Sequence, residues 1–546
     1  MSRTSRFAGS RSRLTADPGL LVAYSAAVLL LVIFVLYPTL RVLVFPALED
    51  YLSIPDSARW MQAARNSLLM MVLSSASATA LGLVFAFAMT RGDIPGAGFF
   101  RVIVQLPMFA PPFMVALAYI LLFGKQGLIT RSLLGLNVNI FGLPGLWLAQ
   151  TVAFFPYAAI IITGVLRGIN PTLEMAASNL GADPRRALRD ITLGLARPGL
   201  TGALLVVAIT VLADFGNAVI IAGGFPLLAT EAWFRLEGMG DARGAALVVS
   251  MLIVPTVVLF FLERHIIGRR QYVTVTGRGG RMEPLGIPPG LRWTVFAICT
   301  LASVLVVLVY LTIVLGAFVA VWGYDWSITM DHWRLSLDRV GTLVNSLKLA
   351  AGSAAMTVAL AVLLAFLASR DSPVRRLLDF VAMLPGALPG VFVGVGYVLA
   401  FNQPPLELVG TYWILALALA FWHLPLGYQT VAAALRQIER AIEEAASNLG
   451  ASSLDVVRDI YLPLLRGAIV DVFAVSSIRS VVNVSIVVFL VSPGHVVATF
   501  AIMSLIVNGS WGGAAALTSL LLVVTLAAAG AARVVLGAEV RTARVG

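Results

Sequence analysis

The chain has 546 residues, of which 59% are hydrophobic and only 12% are charged. Since soluble domains carry about 25% charged residues, this composition excludes a soluble fold and predicts a protein solvated mainly by lipid. The single cysteine, Cys299, excludes a disulfide framework, and the four histidines are scattered without metal-ligand spacing. We interpret the net charge of +11 as the cytoplasmic excess of Lys and Arg in a membrane protein. The sequence therefore predicts no cofactor, no metal site and no nucleic-acid partner.

Twelve apolar segments are long enough to cross a bilayer as helices. Those of the first half are Leu20–Val44, Asn66–Thr90, Val102–Phe123, Leu146–Leu166, Leu200–Ala222 and Ala245–Arg264. Those of the second half are Trp293–Trp322, Asn345–Ala368, Leu377–Phe401, Tyr412–Leu435, Ala468–Val491 and Gly513–Leu536. The first segment follows a basic start, but it is too long for a signal peptide, so we interpret it as a retained helix. The prediction is an all-α integral membrane protein.

The distribution of basic residues predicts the orientation. With the N-terminus inside, the inner segments hold 27 of the 38 Lys and Arg residues, which is the asymmetry expected when both termini are cytoplasmic. We expect a cytoplasmic tail (1–19), a first six-helix domain (20–267), a cytoplasmic connector (268–292), a second six-helix domain (293–537) and a cytoplasmic tail (538–546).

Two polar segments, which we call the islands, are nearly copies of each other. Glu174–Arg197 and Glu443–Arg466 agree at 14 of 24 positions when they are aligned without gaps from their first residues. Upstream the copies lie further apart in the chain, where Asn66-Ser67-Leu68 pairs with Asn345-Ser346-Leu347. The first half therefore carries about nine extra residues, which we place in the outer loop near 124–145. Each island follows the fourth span of its half, so the halves are predicted to be a parallel duplication with both islands on the same side.

Each island is predicted to form a helix, a tight turn and a second helix. Glu174, Ala177 and Gly181 fall on one nearly bare helix face, which another surface can approach closely. Gly181 supplies the positive φ that a helix end needs, and in the second island Ser452 and Asp455 suggest a capping box. An ordinary helical loop is the alternative. The islands are more alike than any other segments of the two halves, which an ordinary loop has no reason to be. This similarity favours two equivalent docking sites for two copies of one partner.

The islands resemble the EAA loop of ATP-binding-cassette importer permeases, E-A-A-x(3)-G-x(9)-I-x-L-P. The second island carries the resemblance on Glu443, Ala445, Gly450, Ile460, Leu462 and Pro463, and the first departs from it at Met175 and Gly194. The resemblance implies the type I permease fold, in which these loops are coupling helices that sit in a groove of the ATP-binding subunit. The docking residues that it implies are Glu174, Ala177, Gly181, Glu443, Ala446 and Gly450.

The energy source is predicted to lie in other subunits. No G-x(4)-G-K-[ST] motif occurs in the sequence, so the chain cannot cradle ATP phosphates itself and is not expected to be an enzyme. We expect one copy of this chain, two cytoplasmic ATPase subunits and a periplasmic or lipoprotein solute-binding protein in a bacterial inner membrane.

A secondary transporter is the alternative class. Two features disfavour it: the best-matched repeats are predicted to be cytoplasmic, and the spans contain few acidic residues.

Three further segments are similar to the ferric iron branch of fused permeases: Ala213–Asn217, Arg269–Gly277 and Val488–Gly494. This resemblance implies iron(III) handed over by a periplasmic binding protein. Thiamine and phosphonate permeases share parts of the pattern, so these solutes stay open.

Four polar residues inside the spans are candidates for the translocation path: Asp214, Asn217, Arg479 and Asn483. Asp214 and Asn483 are equivalent when the alignment of the islands is continued. Charges at membrane depth are costly and usually face a cavity or a partner. The alternative is a structural Asp–Arg pair between the fifth and eleventh helices.

Several prolines either kink the third and ninth helices or end them, namely Pro107, Pro111, Pro112, Pro385 and Pro389.

Overall fold

The computed structural model of the chain describes residues 18–91, 93–268, 286, 288–370, 374–452 and 455–542. The N-terminal arginines, most of the connector with its segment Arg269–Gly277, and the last four residues lie outside the described residues.

The first half contains thirteen described α-helices. They are α1 (Pro18–Leu31), α2 (Tyr37–Val44), α3 (Leu48–Leu52), α4 (Ala58–Thr90), α5 (Ala97–Gln105), α6 (Phe113–Phe123), α7 (Leu143–Gly168), α8 (Thr172–Asn179), α9 (Pro184–Ala187), α10 (Leu193–Leu212), α11 (Gly216–Ile221), α12 (Leu228–Trp233) and α13 (Ala242–Gly268). Short 3₁₀ or π turns join several of them, at Val32–Leu36, Ile54–Asp56, Leu106–Phe109, Leu128–Leu133, Leu188–Thr192 and Phe234–Gly238.

The second half repeats this order with one hairpin added. Its described helices are α14 (Pro289–Gly316), α15 (Asp331–Leu337), α16 (Val340–Ser369), α17 (Arg375–Met383), α18 (Gly390–Phe401), α19 (Tyr412–Leu435), α20 (Arg440–Asn448), α21 (Leu462–Val481), α22 (Val487–Leu490), α23 (Ala498–Val507) and α24 (Trp511–Thr542). Leu384–Ala387 is a 3₁₀ turn and Val456–Tyr461 is a π turn. The strands β1 (Val319–Val321) and β2 (Asp325–Ile328) pair antiparallel, with Val319 opposite Ile328.

The predicted fold class is confirmed. Within the described residues, eleven helices are long and apolar enough to cross a membrane, and a twelfth span results if the bent pair Arg375–Ala387 and Gly390–Phe401 counts as one. In each half the second span packs along the fourth, α4 on α7 and α16 on α19. The core of each half therefore lies between these long helices and the fifth span, α10 or α21.

Prolines break the third and ninth spans rather than kinking them gently. The predicted span Val102–Phe123 consists of α5, a 3₁₀ turn that begins next to Pro107, and α6, which starts after Pro112. The predicted span Leu377–Phe401 bends by 111° at the equivalent place. Because proline lacks the N–H that a helix interior needs, each helix stops and restarts in a new direction.

The fifth and eleventh spans differ from prediction at both ends. The sequence suggested Leu200–Ala222 and Ala468–Val491, but the membrane helices run over Pro184–Leu212 and Val456–Val481. Each begins inside its island and stops where polar residues interrupt the apolar run. The seventh span also ends early, at Gly316, because the predicted end Trp322 belongs to the β-hairpin.

The two halves exchange their first helices. The α1–α2 segment lies on the second half, where Tyr24 donates a hydrogen bond to the Leu367 carbonyl (2.7 Å) and Phe34 stacks on Phe421 (5.2 Å between centroids). In return, α14 lies on the first half, and Trp322 just beyond it donates to the Leu121 carbonyl (2.7 Å). Each six-helix half therefore depends on the other for the packing of one helix.

One hydrogen bond between the halves supplies a donor to a backbone carbonyl that the first helix leaves unpaired. Pro38 has no N–H, so the carbonyl of Phe34, four residues earlier, loses its helical donor. The Tyr397 hydroxyl, from the second half, donates to that carbonyl at 2.8 Å. A free carbonyl in a membrane interior is costly, so this hydroxyl stabilises the attachment of α1–α2 to the second half.

Tyr397→Phe is expected to lower the stability of the folded protein by about 1 kcal/mol, the net worth of one such hydrogen bond. The measurement is the midpoint of unfolding when denaturing detergent is titrated into the purified protein in mild micelles. Tyr119 is the matched control, because it is the equivalent residue of the first half and its buried hydroxyl has no hydrogen-bond partner among the described residues. Tyr119→Phe should leave the midpoint unchanged, and an equal loss in both variants would contradict the interpretation.

The duplication is visible in the hydrogen bonds as well as in the sequence. Asn66 donates to the Pro226 carbonyl (2.9 Å), and the equivalent Asn345 donates to the Val496 carbonyl (3.0 Å). The next residues, Ser67 and Ser346, accept backbone N–H groups at the start of α12 and α23. The Asn-Ser pair therefore tethers the same outer loop to the second span in both halves.

Candidate functional site

Both islands have the predicted helix–turn–helix form. In the first, α8 ends before Gly181 at φ +86°, and in the second α20 ends before Gly450 at φ +90°. A side chain at either glycine would meet no atom within 4 Å. The glycines are therefore required by backbone conformation and not by crowding inside the molecule.

Side chains cap the island helices as the sequence suggests. Asn170 Oδ1 accepts the Thr172 N–H (3.0 Å) before α8, and Asp183 Oδ2 accepts the Arg185 N–H (3.3 Å) before α9. In the second island Asp455 accepts the Ser452 hydroxyl (2.6 Å) and N–H (2.9 Å), which completes the capping box. The bond from the Ser452 hydroxyl holds the pKa of the Asp455 carboxyl below its usual range. These bonds fix the shape of each island without a partner.

The Glu174 carboxylate points into the protein and not outwards. It is 4% exposed and pairs in bidentate fashion with Arg91, at 2.6 and 2.8 Å from the two guanidinium nitrogens. Thr192 also donates a hydrogen bond to it. Arg91 directly follows α4, so the pair ties the island to the end of the second membrane span.

The second island repeats this anchor. Arg370, which directly follows α16, pairs with Glu443, and the Tyr461 hydroxyl donates to the same carboxylate at 2.6 Å. When the two halves are aligned, Arg370 is equivalent to Arg91 and Tyr461 is equivalent to Thr192. The expectation that Glu174 and Glu443 lie on a bare face is therefore wrong, since both carboxylates form ion pairs within the chain, whereas the docking role of the islands stays a prediction.

The motif register is corrected at the same time. In E-A-A-x(3)-G the glutamate lies six residues before the glycine, so Gly450 assigns this position to Glu444, which is exposed, and not to Glu443. Met175 holds the position in the first island. Of the other predicted docking residues, Ala177 and Ala446 are half-buried, while Gly181 and Gly450 are exposed.

The face that does point to solvent is apolar and is the same in both islands. It consists of Leu173, Ala176 and Leu180 in the first, and of Ile442, Ala445 and Leu449 in the second. We call these two surfaces the ridges. Leu180 is 90% exposed and Leu449 is 89% exposed, and each stands directly before the turn glycine. Exposed leucines at matching positions of two polar segments make the ridges a candidate binding surface.

A signal for the ridges was present in the sequence. Apolar residues recur at i, i+3 and i+7 on each island helix, and the leucine before the glycine is identical in both copies. The small residues beside Glu174 and Glu443 favour the opposite face as the docking face, because a bare face admits another surface. Arg91 and Arg370 could have corrected this choice, because they also match between the halves.

The path candidate Asp214 lies buried, at 6% exposure, in the break after α10. Its carboxylate accepts hydrogen bonds from Gln150 (2.9 Å), from the Asn217 side chain (3.1 Å) and from the Asn217 N–H (3.2 Å). Gln150 in turn accepts the Ser74 hydroxyl (2.8 Å). Asp214 therefore caps α11 and joins it to the second and fourth spans.

Asn483 has the same capping position in the second half, where its side-chain oxygen accepts the Ile486 N–H at 3.1 Å. Arg479 lies one turn earlier, in the last turn of α21. Among the described residues, no ion pair joins Arg479 to Asp214, whose partners are Gln150 and Asn217. The structural alternative of an Asp–Arg pair is thus wrong, and whether the four residues line the path stays a prediction.

The two breaks meet at the boundary between the halves. Phe215 follows Asp214, Phe489 lies in α22, and their ring centroids are 6.2 Å apart. Both rings are buried, at 1% and 5% exposure. A buried aromatic contact therefore joins the break of the first half to the short helix that follows the break of the second half.

Comparison with known proteins adds an independent finding. A family model described as "Binding-protein-dependent transport system inner membrane component" matches residues 357–537. The ferric transport system permease protein FbpB of Actinobacillus pleuropneumoniae is 31% identical over 91% of this chain and 75% of its own. A putative ferric transport system permease protein, FbpB 1 of Haemophilus influenzae, is 30% identical over 87% of this chain and 78% of its own. A putative 2-aminoethylphosphonate transport system permease protein, PhnV of Salmonella paratyphi A, is 36% identical over only 26% of this chain and 54% of its own.

Proposed function

Because the chain belongs to the binding-protein-dependent inner membrane permeases of ATP-binding-cassette importers, in their ferric transport branch, we propose that it forms the membrane path through which iron(III) is imported. The relatives named for ferric transport align over most of both chains, which supports iron over the other solutes. The phosphonate relative supports the second candidate, a phosphonate, over 144 residues only.

The protein is a multi-pass inner membrane permease. We propose that both termini are cytoplasmic and that the islands lie on the same side, as the basic residues indicate. A periplasmic or lipoprotein binding protein would then deliver the solute at the opposite face. ATP hydrolysis is assigned to separate subunits, since the sequence holds no P-loop.

The observation that carries the docking proposal is the pair of matching apolar ridges. Two equivalent surfaces on one chain fit two copies of one partner, so we propose one permease chain with two ATPase subunits. The docking surface is the ridges with Ala177, Gly181, Ala446 and Gly450 beside them, and Glu174 and Glu443 hold the islands in place from below.

A mechanism follows from these parts. Closure of the two ATPase subunits on ATP pulls the islands together, and the ion pairs Arg91–Glu174 and Arg370–Glu443 pass this movement to α4 and α16. The two halves then rock against each other, the contact between Phe215 and Phe489 opens, and the cavity faces the docked binding protein. Hydrolysis resets the halves.

The test is uptake of radioactive iron(III) by cells that lack this chain, complemented with the wild type or with the double variant Gly181→Val/Gly450→Val. The wild type should restore uptake and the double variant should not. A β-branched residue at positive φ is strained by roughly 1–3 kcal/mol, and it adds bulk where a partner must approach.

The matched control is Gly135→Val/Gly410→Val, with one glycine in each half. These glycines also have positive φ (+65° and +88°) and open space around them, but they lie in loops on the face opposite the islands. This control should keep uptake. Full uptake with the island variant would contradict the docking role, whereas normal uptake in the deletion strain, without a second iron system, would contradict iron as the solute.

A further inference from the structure

Within the part of the chain that the structure describes, two basic side chains in the membrane spans of the second half have no acidic partner. Arg479 makes no hydrogen bond or ion pair with any described residue, although it lies within the span Val456–Val481. His423, in the neighbouring span α19, is only 2% exposed, and its Nε2 has no hydrogen-bond partner among the described residues. Buried polar groups normally find partners, and a charged side chain within a membrane span normally does so too, so the fold explains neither His423 nor Arg479.

These groups belong to one cluster. Helices α19 and α21 run antiparallel and pack against each other, and a β-carbon at Gly427 would lie 3.1 Å from Val472. His423, one turn before Gly427, and Ser476, one turn after Val472, therefore lie at the same level. Ser476 lies one turn before Arg479, is fully buried, and its hydroxyl also lacks a partner among the described residues. The neighbouring Ser480 differs, because its hydroxyl is bonded to Ser353 at 2.9 Å. An arginine, a histidine and a serine with spare donors therefore converge between two helices.

The cluster borders a helix face that carries charge and is exposed in part. Asp471, Val475 and Arg479 follow one another at four-residue spacing on α21, so they share one helix face. Asp471 is exposed, Val475 is 40% exposed and Arg479 is half-buried. Because charged side chains avoid lipid and face the bundle interior or a water-filled cavity, this face is a candidate border of the path between the halves. Asp471 is two helical turns from Arg479, about 12 Å along the axis, too far to neutralise it.

The equivalent positions of the first half carry no such cluster. Gly202, Val206 and Thr210 stand at the positions equivalent to Asp471, Val475 and Arg479, and Phe154 is equivalent to His423. If these residues were required for the packing of the fifth span in each half, α10 and α21 should carry similar residues at these positions. Arg479 could serve the helix dipole at the C-terminal end of α21, but that role explains neither His423 nor Ser476.

We propose that Arg479, His423 and Ser476 bind an anionic ligand, an oxyanion or a carboxylate, that accompanies iron(III) along the path. The inference rests on the proposed iron transport. An unpaired arginine in a low-dielectric path repels a bare trivalent cation strongly, whereas it attracts an anion with charge-assisted hydrogen bonds. Iron that carries an anionic ligand can pass Arg479. The ligand accepts hydrogen bonds from the donors that the fold leaves unpaired.

The test uses the full transporter, purified with its ATPase subunits and reconstituted in liposomes with ATP and iron-loaded binding protein. Accumulation of ⁵⁵Fe is measured together with [³²P]phosphate in one series and with [¹⁴C]citrate in another. In the wild type, one of the two anions should enter with iron at about one per iron. Arg479→Gln should lower uptake of both labels by roughly tenfold or more, the worth of a hydrogen bond to a charged group, and Arg479→Lys should retain part of it.

His423→Gln is the second variant, and it should weaken the dependence of iron uptake on the anion concentration even if Arg479→Gln fails to assemble. Arg334→Gln is the control, because Arg334 is 80% exposed outside the spans and should have no effect. Entry of iron with neither anion, or unchanged co-transport in both cluster variants, would overturn the proposal. Absence of any ATP-dependent iron uptake by the wild type would instead overturn the iron function itself.

Discussion

The double variant Leu180→Glu/Leu449→Glu is expected to fold, reach the membrane and fail to bind its ATPase subunits. Both leucines are about nine-tenths exposed, at 90% and 89%, so no packing inside the permease is lost. In the complex each buried leucine contributes roughly 1.5–3 kcal/mol, and each glutamate adds the cost of burying a charge. Two sites together should weaken ATPase association by at least about 100-fold.

The measurement is the amount of ATPase that co-purifies with the permease in mild detergent, together with iron uptake by cells. The matched control is Leu134→Glu/Ile328→Glu, which places two charges on hydrophobic side chains that are 61% and 84% exposed on the opposite face. This control should keep its ATPase. Wild-type amounts of ATPase on the ridge variant would show that the ridges are not the docking surface.

The single variants Leu180→Glu and Leu449→Glu test whether the two islands bind the ATPase subunits equally well. The first island has Met175 and Gly194 where the second has Glu444 and Pro463. If the sites act independently, each single variant should lose about half of the bound ATPase.

The islands show how far sequence reasoning reached and where it stopped. Their helices, caps and turn glycines depend on neighbouring residues, so they could be predicted from the sequence. The direction of Glu174 depends on Arg91, which is 83 residues away. A local pattern cannot distinguish a solvated glutamate from one that is paired with a distant arginine, so the sequence could not show that Glu174 and Glu443 point into the protein.

The same distinction holds for the fold. Twelve spans could be predicted because a bilayer demands long apolar runs of every helix. The exchange of α1–α2 and α14 between the halves could not, since it depends on contacts such as Tyr397 with the Phe34 carbonyl, 363 residues apart. The ends of the fifth and eleventh spans were also missed. Asp214 and Asn483 were expected inside helices, but each caps the helix that follows a break.

Arg91→Ala is expected to detach the first island from the end of α4. The pair with Glu174 is almost completely buried, at 6% and 4% exposure, and removal of one partner leaves the other charge buried without compensation. The expected cost is about 3–5 kcal/mol. Protease cleavage within Glu174–Arg197 should become faster, and iron uptake should fall below detection. Arg370→Ala should cost less, because its pair with Glu443 is 29% and 19% exposed and water can replace the lost partner.

The double variant Arg91→Met/Glu174→Leu distinguishes two roles of the ion pair, which are holding the island in its fold and passing the movement of the island to α4. Apolar residues of similar size in place of a buried ion pair are often neutral for stability, so the island should resist protease as in the wild type. If the pair also passes the movement of the island to α4, uptake should remain low although the island is folded and ATPase still binds. Full uptake by this variant would show that the pair only holds the island in place. Low uptake with normal ATPase binding would identify the duplicated arginine–glutamate pair as the mechanical link between the docking ridges and the membrane spans.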